Sequence, residues 1–269
     1  MKARLIVAGV GTAFLLVVLL ALPAAATMVL VAALAVVGAH ELAHAVGITG
    51  RLTAYTMVAA ALVPIWCFFS GNPLVLEIGA FLYLILLFVE LILRYGTPRS
   101  ISYTAALTML FGGVGIPLLL CALLGLRMEP LTMGKCLVLA PLVAAFSCDS
   151  AALFAGMLFG KHKLAPAVSP KKTVEGALGG LVGSVVCMIL FGGVVGLFGC
   201  FLSWPFLLLS GVLGAVAGQL GDLSFSVIKR ECGIKDYGRL LPGHGGVLDR
   251  FDSVIFTGPL LWLLWSLLG

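Results

Sequence analysis

Between Gly221 and Ser253 the sequence reads GDLSFSVIKRECGIKDYGRLLPGHGGVLDRFDS. It sets five basic residues, Lys229, Arg230, Lys235, Arg239 and Arg250, among five acids, Asp222, Glu231, Asp236, Asp249 and Asp252. If the preceding helix runs on past Asp222, then Asp222, Ser226 and Lys229 fall at i, i+4 and i+7, presenting a carboxylate, a hydroxyl and an ammonium on one face. Asp249 and Asp252, three apart, share a face in the same way at the start of the next helix. Paired carboxylates among fixed cations suit Mg²⁺-assisted phosphoryl or nucleotidyl transfer. Mg²⁺ takes a few carboxylate oxygens plus substrate phosphates, and Lys and Arg take the charge spread over the reacting phosphate. The intervening PGHGG, Pro242 to Gly246, lets backbone amides approach a ligand where bulkier residues would not. The plainer alternative is a solvated loop laced with ion pairs.

A second charged stretch, GKHKLAPAVSPKKTVEG at 160–176, carries Lys161, Lys163, Lys171 and Lys172 with no acid before Glu175. Four cations beside a membrane can anchor on anionic headgroups. SPKKTVEG is more specific: Ser169 and Thr173 flank the lysines, Pro170 pre-sets a turn, and Thr173 stands where it would cap the next helix. Hydroxyls, ammonium groups and a helix N-terminus together make an anion site suited to phosphates.

A third pattern points to other chemistry. HELAH, His40 to His44, is the zinc-protease spacing, with two histidines one helical turn apart and Glu41 as the base. Such a site needs a third ligand, which intramembrane metalloproteases take from an Asn-x-Asp-Gly segment; here Asn72 is the sole asparagine and lies in GNP. The expected role is therefore a polar patch on the second span near its cytoplasmic end, whose members satisfy one another or a neighbour such as Arg51, or line a lipid cavity. An intramembrane zinc metalloprotease is the alternative reading.

The elements that must position these groups are apolar. Hydrophobic residues make up 62% of the 269 and charged ones 10%, with a mean hydropathy of +1.21, far from the soluble globular range. Runs long enough to span a bilayer, ~20 residues each, recur at about 5–22, 28–47, 53–69, 73–93, 103–126, 136–159, 174–198, 203–223 and 254–268. The expected fold is thus an all-α polytopic membrane protein of about nine spans: N-terminal transmembrane helices over 1–100, then a catalytic transmembrane region over 101–269 with cytoplasmic loops 160–173 and 224–253. Placing the N-terminus in the cytoplasm puts fourteen of the sixteen Lys and Arg residues on that side, as the positive-inside rule requires. The net charge of +5 then follows from topology and is no nucleic-acid footprint. MKARL, an apolar run and PAAATM have the outline of a signal peptide; the length of the run favours an uncleaved first span. The seven cysteines contain no C-x-x-C pair and read as packing residues. Gly176, Gly180, Gly179, Gly183, Gly214 and Gly218, at helical spacing, predict close helix approach. Gly-rich and Pro-containing stretches, GGVGIP and LLPGHGG, are expected to interrupt regular helix. Asp149, within the sixth span, is an acid expected to face a polar cavity or a partner.

The long pattern in the C-terminal part resembles the phosphatidate cytidylyltransferase (CDP-diglyceride synthase) family. The residues that carry the resemblance are Ser226, Lys229-Arg230, Lys235-Asp236, Pro242 to Gly246 and Asp249-Arg250-Phe251-Asp252-Ser253, in order, with SPKKTVEG at 169–176 and DSAALFAG at 149–156 upstream. The resemblance implies the reaction of CTP with phosphatidate, giving CDP-diacylglycerol and pyrophosphate, on the cytoplasmic face of the cell membrane, by a homodimer that needs Mg²⁺ and takes one or two ions. It implies Asp222, Asp249 and Asp252 as metal carboxylates, and Asp222, Lys229 and Asp249 as catalytic residues. Phosphate contacts are expected from Ser169, Lys171, Lys172, Thr173, Ser226, Arg230, Lys235, His244 and Arg250. HELAH has no place in that family pattern. The residue chemistry agrees, because a lipid phosphate is already an anion at pH 7 and its attack on CTP rests on positioning and charge stabilisation.

Overall fold

The computed structural model describes residues 2–238, 240 and 245–269. Among them, eight helical segments are long and apolar enough to cross a membrane, and a shorter apolar helix, Gly9–Ala21, falls at the first expected span. The chain is an all-α polytopic membrane protein, with one two-stranded hairpin as its only sheet among the described residues. Its large apolar side chains are exposed along most of the spanning helices, among them Phe81, Ile92, Leu158, Leu190 and Leu263. That distribution suits lipid and would be untenable in water.

Two compact units divide the chain: Met1–Leu124 with Ile234–Arg250, and Gly125–Gly233 with Phe251–Gly269. The first contains α1 (Lys2–Leu16), α2 (Ala24–Ala45), α3 (Arg51–Phe69), α4 (Pro73–Arg94), α5 (Tyr103–Leu110) and most of α6 (Ile116–Arg127). Its core gathers Ala43, Leu52, Tyr83, Leu87 and Met109. The Tyr83 hydroxyl lies 2.6 Å from Thr56 Oγ1 and donates to the Met109 carbonyl at 3.2 Å, so its polar tip is satisfied in that core. A π-helical turn, Phe111–Gly115, interrupts the helix at GGVGIP as the sequence predicts. The widened turn also makes room, since a Cβ on Gly113 would sit 2.7 Å from the Tyr83 ring.

The second unit contains α7 (Leu131–Leu137), α8 (Ala140–Phe159), the β1–β2 hairpin (Lys163–Ala165 and Ser169–Thr173), α9 (Val174–Gly196), α10 (Trp204–Glu231) and most of α11 (Leu248–Leu268). Here the glycine spacing does what it predicts. A Cβ on Gly179 or Gly183 would overlap the methyl of Ala155 or Ala151 across the α8–α9 contact, so the two backbones approach closely. Capping hydroxyls start α9 and α10: Thr173 Oγ1 accepts from the Gly176 amide at 3.1 Å and Ser203 Oγ from Phe206 at 3.3 Å, each serving an amide the helix leaves unpaired.

Two expectations change. The loop at 160–173 is a short antiparallel hairpin, pairing Lys163 with Thr173 and Ala165 with Ser169. The loop at 224–253 contracts from both ends, because α10 continues to Glu231 and α11 begins at Leu248. Apolar content marks where a helix meets lipid; the polar turns beyond it remain helical by their own hydrogen bonds.

Candidate active site

In the second unit, α10 places Asp222, Ser226 and Lys229 on one face, as the i, i+4, i+7 spacing requires. Ser226 Oγ donates to Asp222 Oδ1 at 3.3 Å, and Ser226 and Lys229 are both buried. Strand β2 brings Lys172, whose Nζ is 2.5 Å from Asp222 Oδ2. From α11 comes Asp252, only 7% exposed, with Oδ1 accepting from the Ser253 amide at 2.8 Å. Ser253 Oγ donates in turn to Asp149 Oδ2 at 3.3 Å, which ties in α8. Asp222, Asp149 and Lys229 all lie within electrostatic reach of the Asp252 carboxylate. The helices come this close because of Gly221, where a Cβ would stand 2.5 Å from the Asp252 carbonyl oxygen. Three carboxylates therefore share a small region with two ammonium groups.

The hairpin is fixed by its neighbours rather than by its own length. Arg230 Nε, at the end of α10, donates to the Val168 carbonyl at 3.1 Å. Glu175 Oε2 accepts from the amides of Lys161 and His162 at 3.1 and 3.2 Å, and its Oε1 lies 2.6 Å from His162 Nδ1. Lys172 is thereby turned to Asp222, while Lys171 is exposed and Ser169 half-buried.

The first unit holds the loop before α11. Asp249 Oδ2 accepts from the amides of Tyr237 and Gly246 at 2.8 and 2.9 Å. Glu41, 4% exposed, accepts from Val247 at Oε1 and from Leu248 at Oε2, at 2.9 and 2.8 Å. Lys235 and Arg250 are exposed. His244, with Arg239 and Leu241 to Gly243, lies outside the described residues.

HELAH is thus divided in use. Its glutamate is buried on backbone amides, while His40 and His44 are exposed and line a cavity of about 320 Å³ with Ile48, Thr49, Gly50 and Thr53. Arg51 is not their partner, in contrast to one expectation: its Nε is 2.8 Å from Glu90 Oε1, and Arg94 Nε is 2.6 Å from the other oxygen. Among the described residues no three His, Cys, Asp or Glu side chains converge on a metal-sized centre. Zinc hydrolases require three protein ligands, and among the described residues nothing adds a third to His40 and His44, while Glu41 is held by backbone amides; Mg²⁺ requires fewer, since substrate phosphates complete its shell.

The structure gathers Asp222, Ser226, Lys229, Lys172 and Asp252, each legible as a site candidate in the sequence. The connection of Asp149 through Ser253 and the use of Glu41 are not legible there. Nothing in local spacing links α2 to the loop before α11, although an acid inside an apolar run was a sign that some partner existed.

The fold and the cluster define a multi-span membrane protein with a charged site set into its helices. The chain matches the cytidylyltransferase family over residues 2–268 and belongs to that family. It is 47% identical over 125 residues to the phosphatidate cytidylyltransferase of Bacillus subtilis, a match covering 46% of this chain and 45% of that one. It is 44% identical over 128 residues to that of Synechocystis, covering 45% and 41%. It is also 44% identical over 135 residues to a chloroplastic phosphatidate cytidylyltransferase of Arabidopsis thaliana, covering 49% and 32%. In each case the chain spans less than half the length of the curated relative it matches.

Proposed function

We propose that this chain transfers the CMP group of CTP to phosphatidate, forming CDP-diacylglycerol and releasing pyrophosphate, at the cytoplasmic face of the membrane. The observation that carries the reading is the gathering of Asp149, Lys172, Asp222, Lys229 and Asp252 in one helical unit. Family membership and the names of the relatives support the substrate pair, and the bias of Lys and Arg toward one set of loops supports the facing.

The acids fit Mg²⁺. Carboxylates outnumber ammonium groups three to two in the cluster, and all are the hard oxygen donors that this ion selects. Asp222 and Asp252 would hold it; for Asp249 a metal role is what the family resemblance alone implies. When bound, the ion would neutralise charge on the transferring phosphoryl group.

The protein's own groups do the rest. Ser226 orients the Asp222 carboxylate. Lys172, now paired with Asp222, would exchange that partner for a phosphate oxygen of CTP, and Lys229, buried beside Asp252, would stabilise negative charge as pyrophosphate departs. The lipid phosphate attacks the α-phosphorus of CTP directly and needs no base to become a nucleophile. Arg230 positions the hairpin that carries Lys171 and Lys172. A homodimer belongs to the same proposal, to be checked by the mass of the detergent-solubilised protein.

The test is a product assay with phosphatidate, labelled CTP and Mg²⁺. Label should enter a lipid-extractable product, depend on Mg²⁺, and fall by roughly 10³-fold or more in Asp222→Ala. Wild-type rates in that variant would sink the site assignment, and well-folded wild-type protein that makes no labelled lipid would sink the reaction.

A further inference from the structure

HELAH belongs to no part of the reaction just described, yet its glutamate is among the best-satisfied acids in the first unit. Each Glu41 oxygen takes one backbone amide, Val247 at 2.9 Å and Leu248 at 2.8 Å. Those amides lie at the start of α11, where a helix cannot pair its own N–H groups and where negative charge is favoured by the peptide dipoles. Charge-assisted bonds of this kind are the stronger class.

The surroundings are shaped to the carboxylate. A Cβ on Gly246 would come 2.5 Å from Glu41 Oε1, and one on Gly238 would overlap the same oxygen. In α2 itself, a Cβ on Gly38 would press on the Leu248 side chain at 3.0 Å. Three glycines thus leave space for one acid and the turn it holds. From within the loop, Asp249 Oδ2 ties the Tyr237 and Gly246 amides. Two carboxylates therefore hold amides on three consecutive residues, Gly246 to Leu248, immediately before Asp249.

We infer that Glu41 is a positioning residue: it seats the first turn of α11 and, through it, fixes the Asp249 carboxylate for turnover. The effect on turnover rests on the function proposed above; the seating of the turn does not.

The experiment compares wild-type full-length protein with Glu41→Gln, which keeps one acceptor oxygen and turns an amide donor toward the other N–H, and with Glu41→Asp, which keeps the charge and shortens the reach. Two readouts are taken in detergent: hydrogen exchange of the amides over 245–250, and steady-state kinetics with CTP and phosphatidate. Both variants should exchange faster at Val247 and Leu248, and kcat should fall by roughly 10- to 100-fold, the usual size for a residue that orients another's carboxylate, with the phosphatidate KM within about two-fold. His40→Ala and His44→Ala should leave both readouts near wild type. Unchanged exchange in the Glu41 variants overturns the anchor, and faster exchange at undiminished kcat overturns the positioning role. If wild type yields no lipid product, the proposed reaction fails while the exchange comparison still decides the anchor. If Glu41→Gln does not assemble, Glu41→Asp alone decides both points.

Discussion

Glu41 and Glu90, buried in the first unit, each have both carboxylate oxygens occupied by donors that the fold supplies: two backbone amides for one, Arg51 and Arg94 for the other. In the second unit, Asp222 and Asp252 stand with a third acid, Asp149, in the company of two lysines. The first arrangement is what a buried acid needs in order to be tolerated at all. The second concentrates like charge where each acid raises the energy of the next, a cost that a fold retains when a ligand is to relieve it. Within one chain, then, Glu41 and Glu90 serve architecture, while Asp149, Asp222 and Asp252 form the crowded cluster on which the proposed function rests.

That contrast can be broken in three ways, in falling order of effect on turnover. Asp252→Asn removes a charge from the crowded cluster while preserving shape, so product formation should drop by about 10³-fold with thermal stability unchanged or raised. A stability loss without a rate loss would place Asp252 with the architectural acids. Lys172→Ala should lower kcat/KM by about 10²-fold, felt mainly in the CTP dependence, with a smaller effect on folding, since its ion pair with Asp222 is a quarter exposed and partly screened. An unaltered CTP response would mean that the pair is a fastening for the hairpin. Glu90→Gln should do the reverse, costing about 1–3 kcal/mol of stability through two weakened arginine contacts while kcat stays close to wild type. A midpoint of thermal unfolding equal to wild type would remove Glu90 from the comparison.

The apolar runs made the helices legible, because the bilayer demands ~20 such residues for each span, and the run at 203–223 duly heads a helix. Its continuation to Glu231 was legible only through chemistry: the spacing of Asp222, Ser226 and Lys229 makes sense on a helix and nowhere else. Thr173 was readable as a cap for the same local reason. Lys172 and Asp222 could be named as separate members of a phosphate site but not paired, since the hairpin that joins them depends on Arg230 reaching Val168. The least legible feature was Glu41. Its three-residue signature matches a metal-binding pattern, and the amides it holds carry no side-chain identity at all, so no sequence motif announces them. Arg51 misled for a related reason: proximity in sequence to His44 suggested a partner, while the fold gave it to Glu90.

The bond from Glu41 to Val247 closes over 206 residues of chain. A ribosome adding about 5–20 residues per second would need roughly 10–40 s to reach the second partner after making the first. During that interval the second span must reside in the membrane with a carboxylate whose amides do not yet exist, stabilised only by whatever water reaches its end. Synthesis of the first turn of α11 is then the event that supplies the Glu41 carboxylate with its amides, long after the helix that carries it has been made.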